Sequence, residues 1–403
     1  MKHFLGLLVL FSLGVSAQGD PPVLMTGEGG TMPGEWIDET TGHRLVRLTD
    51  ADDTRSFYFH NDPFLPTADG QDNLMVYYGE VDGDLQLFTL NLQTKETAQL
   101  TTQPGRKHGE IVAKNRREVF YQIRDTVFAT HVDTKVTREV FVFPDDFKAW
   151  ITTLNADETK LAGTWSSPEK DSILEAYPKK SEFFERIFDA EILHKLFVVD
   201  VDNGFLEPIH SEQTWLGHVQ FSTTDPNTLM FCHEGPWHKV DRIWNIDLAT
   251  KDITKIHERT VHREIAGHEF WSRDGNTIWY DLQIPRGETF YLAGYDTRSK
   301  ELRKYAMDRN EWSIHFTISP DQQVFAGDGG DPSQVAGAED GRYIYLFEPR
   351  QDSLASTKLV NMQHHDYQLE PNVHFTPDQQ WIVFRANFEG SSHIYAVAIK
   401  PYP

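Results

Sequence analysis

Cys232 is the only cysteine in 403 residues, so the chain can form no internal disulfide, and whatever fold it adopts must hold by core packing. After the first twenty residues no apolar run approaches the roughly 20 residues needed to span a bilayer, which removes the membrane as a partner. Basic residues are scarce: 38 Lys and Arg face 61 Asp and Glu, a formal charge of −23. Nucleic acid is therefore excluded as a partner, and a polyanionic ligand must meet a local basic or metal-bearing site. There is no G-x-S-x-G elbow, which argues against a hydrolytic peptidase.

Apolar residues are plentiful, at 39% with 12% aromatics, enough for a large buried core. The start "MKHFLGLLVLFSLGVSAQGD" has a basic residue at Lys2, an apolar run from Phe4 to Gly14, and small residues at Val15 and Ala17. That pattern is a secretory signal over residues 1–17 with cleavage after Ala17. Gln18 follows, where a lipid-bearing cysteine would have to stand. The expectation is a soluble periplasmic or secreted protein with residues 18–403 as one domain.

Short strand-like runs recur along that domain, separated by turns rich in Asp, Asn, Gly or Pro. Seven inner pairs can be read, among them "VQFSTTDPNTLMFCHEG", "EFWSRDGNTIWYDL", "FTISPDQQVFAGDGG" and "VHFTPDQQWIVFRANFEG". A second pair follows each one but the last. A repeat of about 40–50 residues with four strands signals a β-propeller blade. The fold class is all-β, a seven-bladed β-propeller. The final run "HIYAVAIKP" lacks an outer partner and "HRLVRLTD" near Arg44 is a spare strand, so the two ends are expected to close the ring together. One blade is interrupted at about 166–195, where Phe183, Phe184, Ile187, Phe188 and Ile192 fit an amphipathic helix. That insertion is either an exposed decoration or a wall for a cleft.

The repeat register places the chemistry. His268, His315 and Asn372 each lie six residues before the turn aspartate of their blade, and His218 matches with a slip of one. These four are expected at one level near the axis. Pro63, Gly109 and Ile151 hold the same offset in the first three blades. The returning strands deliver His233 and Glu234, Asp281, Asp328 and Asp331, and Arg385 and Asn387 to the same mouth. Alternation along "QLEPNVHF" puts Gln368, Glu370, Asn372 and His374 on one face of a single strand. Histidine, carboxylate and amide donors together suit a divalent cation of the manganese, zinc or calcium type, with His315, Glu370 and Asn372 the leading set. His218, Glu234, Arg385 and Trp237 are candidates for holding substrate. Trp237, Trp244, Trp271 and Trp312 could stack on sugar rings or pack the blades.

The segments "FCHEGPWHKVDRIW", "GHEFWSRDG", "IHFTISPD…GDGGDP" and "FTPDQQWIVFRANFEG" together resemble the oligogalacturonate lyases, seven-bladed propeller enzymes that trim short pectin fragments. The resemblance implies a divalent metal, commonly manganese, and cleavage of the glycosidic bond by β-elimination. It puts the base on His268, a metal ligand on His315, and the arginine facing the substrate carboxylate on Arg242. The rest of the metal site departs. Where the family has a glutamine and then a His-x-His pair before "FTP", this chain has Glu370 and Asn372 at the histidine positions and Gln368 out of step by one. His374 is a substitute ligand on this reading, and His233 or a water is the proton donor to the leaving oxygen. The expected activity is an exported, metal-dependent lyase acting on an acidic oligosaccharide. Its rivals are the same reaction on another uronate, such as rhamnogalacturonan or algal fragments, and a non-catalytic propeller that binds a protein partner.

Overall fold

The computed structural model describes residues 19–403, almost entirely as antiparallel sheet; the expected signal segment lies outside the described residues. Seven four-stranded blades follow one another along the chain, each running from an inner to an outer strand. Blade four, for example, is Leu216–Phe221, Thr228–His233, Ile243–Asp247 and Ile253–Lys255. Blade five begins with Ile265–Trp271 and Thr277–Gln283. Its outer strand pairs with that of blade six at a single parallel bridge, Ala306 to Ser353, while Trp279 packs on Phe325 between the blades.

The turn between the two innermost strands is built the same way in successive blades. Asp225, Asp274, Asp321 and Asp378 each accept a hydrogen bond from the backbone N–H two residues on, at 2.9, 3.1, 3.1 and 3.0 Å. An aspartate that caps its own turn in this way fixes strand register, which is why the repeat could be counted from these residues.

The ring closes where the spare strand was expected. His43–Arg47 pairs antiparallel with the last strand, His393–Pro401, placing Leu45 opposite Val397 and Val46 opposite Ala396. Leu45, Tyr395 and Val397 are fully buried there. The closing sheet is wider than expected, because Glu35–Asp38 and Val23–Leu24 add two further strands outside.

The row "QLEPNVHF" is a correction. Only His374–Phe375 is strand; Pro371 brings no donor, and Asn372 has a left-handed backbone, φ +53°. Alternation therefore does not carry Gln368, Glu370, Asn372 and His374 onto one face.

Two helices, Glu169–Ala176 and Lys180–Asp189, fill the break in blade three. The second buries Ile187, and Phe184 lies edge-on to Trp215 with ring centroids 5.2 Å apart. The pair packs against the blade-four loop at Gly235, where a Cβ would come within 2.4 Å of the Phe188 ring.

The axis is not an open channel. Residues 55–63 cross it: the Phe59 ring stacks on His315 at 4.6 Å, and its N–H donates to Asn372 Oδ1 at 2.9 Å. A cavity of about 430 Å³ remains on the far side, lined by Phe59, His60, Asp62, Gln220, Arg273 and His374 among others.

Candidate active site

A shared backbone distortion brings histidines to the mouth. In blades two, four and five the inner strand slips register at the same place, after His108, Gly217 and Gly267. The residue at the bulge is left-handed in each: Gly109 at φ +63°, His218 at +45° and His268 at +48°. A bulge of this kind re-aims one side chain, and histidine tolerates it better than a branched residue would. Gly109 is confined to glycine for another reason, since a Cβ would lie 2.4 Å from the Ile151 carbonyl oxygen.

Two Asp–His pairs stand side by side. His268 Nδ1 is 2.8 Å from Asp281 Oδ1, and His315 Nδ1 is 2.8 Å from Asp328 Oδ2; the imidazole centroids are 5.0 Å apart. Both aspartates are fully buried, so each fixes the orientation of its ring. Burial pulls His268 down, but the charge and hydrogen bond of Asp281 outweigh it and hold the imidazole above its ordinary value. His315 goes the other way: burial, with His268 beside it, drives it well below and keeps it neutral. Two imidazoles pushed apart in this way are suited to opposite proton-transfer roles.

Next to them lies a buried ionic cluster. Arg242 donates from Nε to Glu269 Oε2 at 3.0 Å and from Nη1 to Glu234 Oε2 at 2.9 Å, and its guanidinium lies 5.1 Å from the Trp237 ring centre. His218 Nε2 is 2.8 Å from Glu234 Oε1. The Cys232 thiol donates to Glu269, and burial pushes that thiol up, out of reach as a nucleophile. Arg242 is only 2% exposed with both carboxylates already paired to it, so its charge is spent inside the protein. The expectation that Arg242 faces the substrate carboxylate is corrected accordingly.

Arg385 is the guanidinium left over. It donates from Nε to the Glu370 carbonyl at 2.7 Å and from Nη1 to the Ser56 carbonyl at 3.2 Å, burial pushes it below its ordinary value, and among the described residues no carboxylate forms an ion pair with it. A cation held by carbonyls alone, at the edge of a mouth, is ready for an anion.

The profile of the oligogalacturonate lyase family matches residues 34–401. The chain belongs to that family. An oligogalacturonide lyase of Pectobacterium atrosepticum is 27% identical over 90% of this chain and 95% of its own. An oligogalacturonate lyase of Dickeya dadantii is 26% identical over the same shares. Among solved structures, an oligogalacturonate lyase from Vibrio parahaemolyticus superposes with a TM-score of 0.77 at 26% identity, covering 91% of this chain and 96% of its own. An oligogalacturonate lyase in complex with manganese gives 0.78 at 24% over the same shares, a likeness of fold.

Against this oligogalacturonate lyase family background, several assigned residues fall elsewhere. His233 is on the opposite face of its strand from Cys232, stacked on Trp244 at 4.9 Å with Nε2 3.2 Å from Glu212 Oε2. Strand alternation turns it away from the mouth. Trp271 and Trp312 are buried packing residues, whereas half-buried Trp237 lies edge-on to His268 at 5.2 Å. Asp331 accepts the Ser333 N–H within its own loop, and Asn387 ties its loop to the one at Asp366 by accepting that residue's N–H, so both are committed to holding loops.

The expected metal ligands do not converge. His315 Nε2 and Glu370 Oε2 approach to 3.8 Å. Asn372 spends its amide on Phe59 N–H and the Glu370 carbonyl, His374 Nε2 is 3.2 Å from the Phe57 carbonyl, and Gln368 is exposed. Among the described residues no three His, Cys, Asp or Glu side chains form a cation site. One imidazole nitrogen and one half-exposed carboxylate are too few for a divalent ion held by protein, so the donor set does not fit the expected manganese, calcium or zinc.

Two residues at the centre were not singled out from the sequence. Glu269 was in view inside "GHEFW" beside His268. Tyr58 was not, because it lies in the crossing segment outside every repeat; its hydroxyl is 3.2 Å from His315 Nε2.

Proposed function

We propose that the protein cleaves oligogalacturonates by β-elimination, leaving products unsaturated between C4 and C5, as part of pectin breakdown outside the cytoplasm after export. The observation that carries this is His268: its Nδ1 is held by buried Asp281, its Nε2 makes no hydrogen bond among the described residues, and it borders His315 in a chain of the oligogalacturonate lyase family. Removing the C5 proton of a uronate is feasible only if the adjacent carboxylate is neutralised as enolate character develops. Arg385 is the cation placed to do so. His268 Nε2 takes the proton, and Asp281 stabilises the imidazolium that results. His218, fixed from behind by Glu234, and half-buried Trp237 form the wall on the other side and would hold the sugar, whereas Glu234 itself has both oxygens committed to Arg242 and His218. The names of the curated relatives support galacturonate as the sugar acid.

The test is ultraviolet absorbance of the new conjugated double bond on mixing the protein with digalacturonate. A steady rise is expected, and a flat trace across neutral pH would overturn the proposal. Glu370 and Asn372 at the family's histidine positions favour a second reading, the same elimination on a different uronate. A panel of uronate disaccharides separates the two.

A further inference from the structure

At the end of the axis opposite the mouth, the cavity beneath the crossing segment is bordered by cations with hydrogen-bond donors to spare. We propose that it is a second ligand site, taking a small sugar acid whose carboxylate lies between Lys114 and Arg273. The site is independent of the elimination chemistry and rests on the lyase reading only for the choice of galacturonate as the sugar acid.

Phe59 separates the two sites, with its ring stacked on His315 on one side and bordering the cavity on the other. The volume of about 430 Å³ falls within the range of small-molecule pockets, about 300–1,000 Å³, and is more than an inorganic ion fills. At its centre Asp62 Oδ2 is 2.7 Å from Lys114 Nζ and 2.8 Å from Arg273 Nη1, while Oδ1 accepts the Phe64 N–H at 3.1 Å. Lys114 comes from the inner turn of blade two and Arg273 from that of blade five, so one carboxylate draws two cations together across the axis.

That triad carries one net positive charge, and its donors are mostly unspent. An ammonium has three N–H groups and a guanidinium five, yet each side chain uses one on Asp62 and has no other partner among the described residues. Glu158, also at the wall, does not compete for them, because its two oxygens accept the backbone N–H groups of Asn115 and Arg116 at 2.9 and 2.8 Å. The planar fork of Arg273 suits a carboxylate, with Lys114 as a second point of charge. The rest of the wall suits a sugar ring rather than a bare anion. The carboxamides of Asn61 and Asn115 border the cavity without a partner among the described residues and can meet hydroxyls, and Phe59 and Phe270, edge-on at 5.9 Å, offer an apolar surface to the C–H face of a pyranose.

Calorimetry on Arg385→Gln protein, whose mouth has lost its free guanidinium, reads the far cavity. One equivalent of galacturonate is expected to bind, and galactose, the same ring without the carboxylate, is expected not to. Arg273→Lys in that background keeps a cation on Asp62 and removes the fork, so affinity for galacturonate should fall about tenfold or more, the size of a lost charge-assisted hydrogen bond. Asn115→Leu, in an exposed turn, should weaken binding with no change in Tm. Absence of binding, inorganic phosphate binding as tightly as galacturonate, or a lower Tm in Arg273→Lys at unchanged affinity would each overturn the site, the last by leaving the triad as a clamp on the crossing segment. The lyase reading fails separately: a protein that binds galacturonate here and leaves digalacturonate intact loses that reading and keeps this site, and one that cleaves digalacturonate without binding at the far end loses the site alone.

Discussion

Asp281 sets the pH at which His268 can work. As a base His268 must be neutral, and the Asp281 carboxylate holds its pKa above the ordinary value, so kcat/KM should rise with pH through that elevated value. In Asp281→Asn the imidazole keeps a hydrogen-bonding neighbour and loses the negative charge. The acid limb of the pH–rate profile should then move to lower pH, while kcat drops by about 100-fold because the imidazolium is no longer stabilised. A limb that stays in place would show that another group titrates. At this scale the sequence was informative about type and level and uninformative about direction. His268 and His315 lie together because the turn aspartates fix their rung. His233 is one residue from Glu234 and faces away because side chains alternate. Arg242 could not be seen to be neutralised, because its partner Glu269 comes from the next blade.

Elements rather than single residues decide the cation question and the shape of the cleft. The segment from Tyr367 to Val373 is a turn and a left-handed kink, and strand begins only at His374, which is why the expected donors scatter to Phe59, Phe57 and solvent. Turnover is therefore expected to survive exhaustive dialysis against a chelator. A loss that added Mn²⁺ restores would show that substrate completes a site that His315 and Glu370 only begin. The helical insertion was legible as an amphipathic pattern, yet what it packs on was not, since that depends on a glycine in another blade. Gly235, at φ +148°, lies flush against Phe188 and lets the loop bearing Glu234 and Trp237 sit down on the helix. Gly235→Ala should push that loop outward and lower kcat/KM by about tenfold, the size of a modest misplacement of binding groups. Adding Phe188→Ala should recover part of the loss by opening the space, whereas no recovery would mean that the strain at φ +148° is the cause. Steady-state kinetics on the three variants distinguishes these outcomes.

Ring closure is the whole-molecule feature that made the site readable. Because each sheet repeats the same turn, rungs that are far apart in sequence become neighbours, and the pairing of Leu45 with Val397 completes the circle. The crossing segment 55–63 was not readable for the converse reason: beyond the bridge from Arg55 to Tyr78 it joins no sheet, so no repeat register fixes it, and it is held at the axis by the Phe59 N–H on Asn372 and the Tyr58 hydroxyl beside His315. The charge of the whole molecule then makes a kinetic prediction. A protein of formal charge −23 repels an acidic oligosaccharide at long range, while Arg385, with the exposed Arg55 and Arg106 near the same side of the mouth, attracts it at contact. The screening length is about 30 Å at 0.01 M salt and about 8 Å at 0.15 M, so added salt removes the distant repulsion before it weakens the contact pairing. kcat/KM on oligogalacturonate should therefore rise with NaCl across that range. Arg385→Gln should be slower at every salt concentration yet show the same slope, because the slope belongs to the field of the entire protein. A value that falls as salt is added would mean that the three arginines, and not the overall charge, govern how substrate approaches.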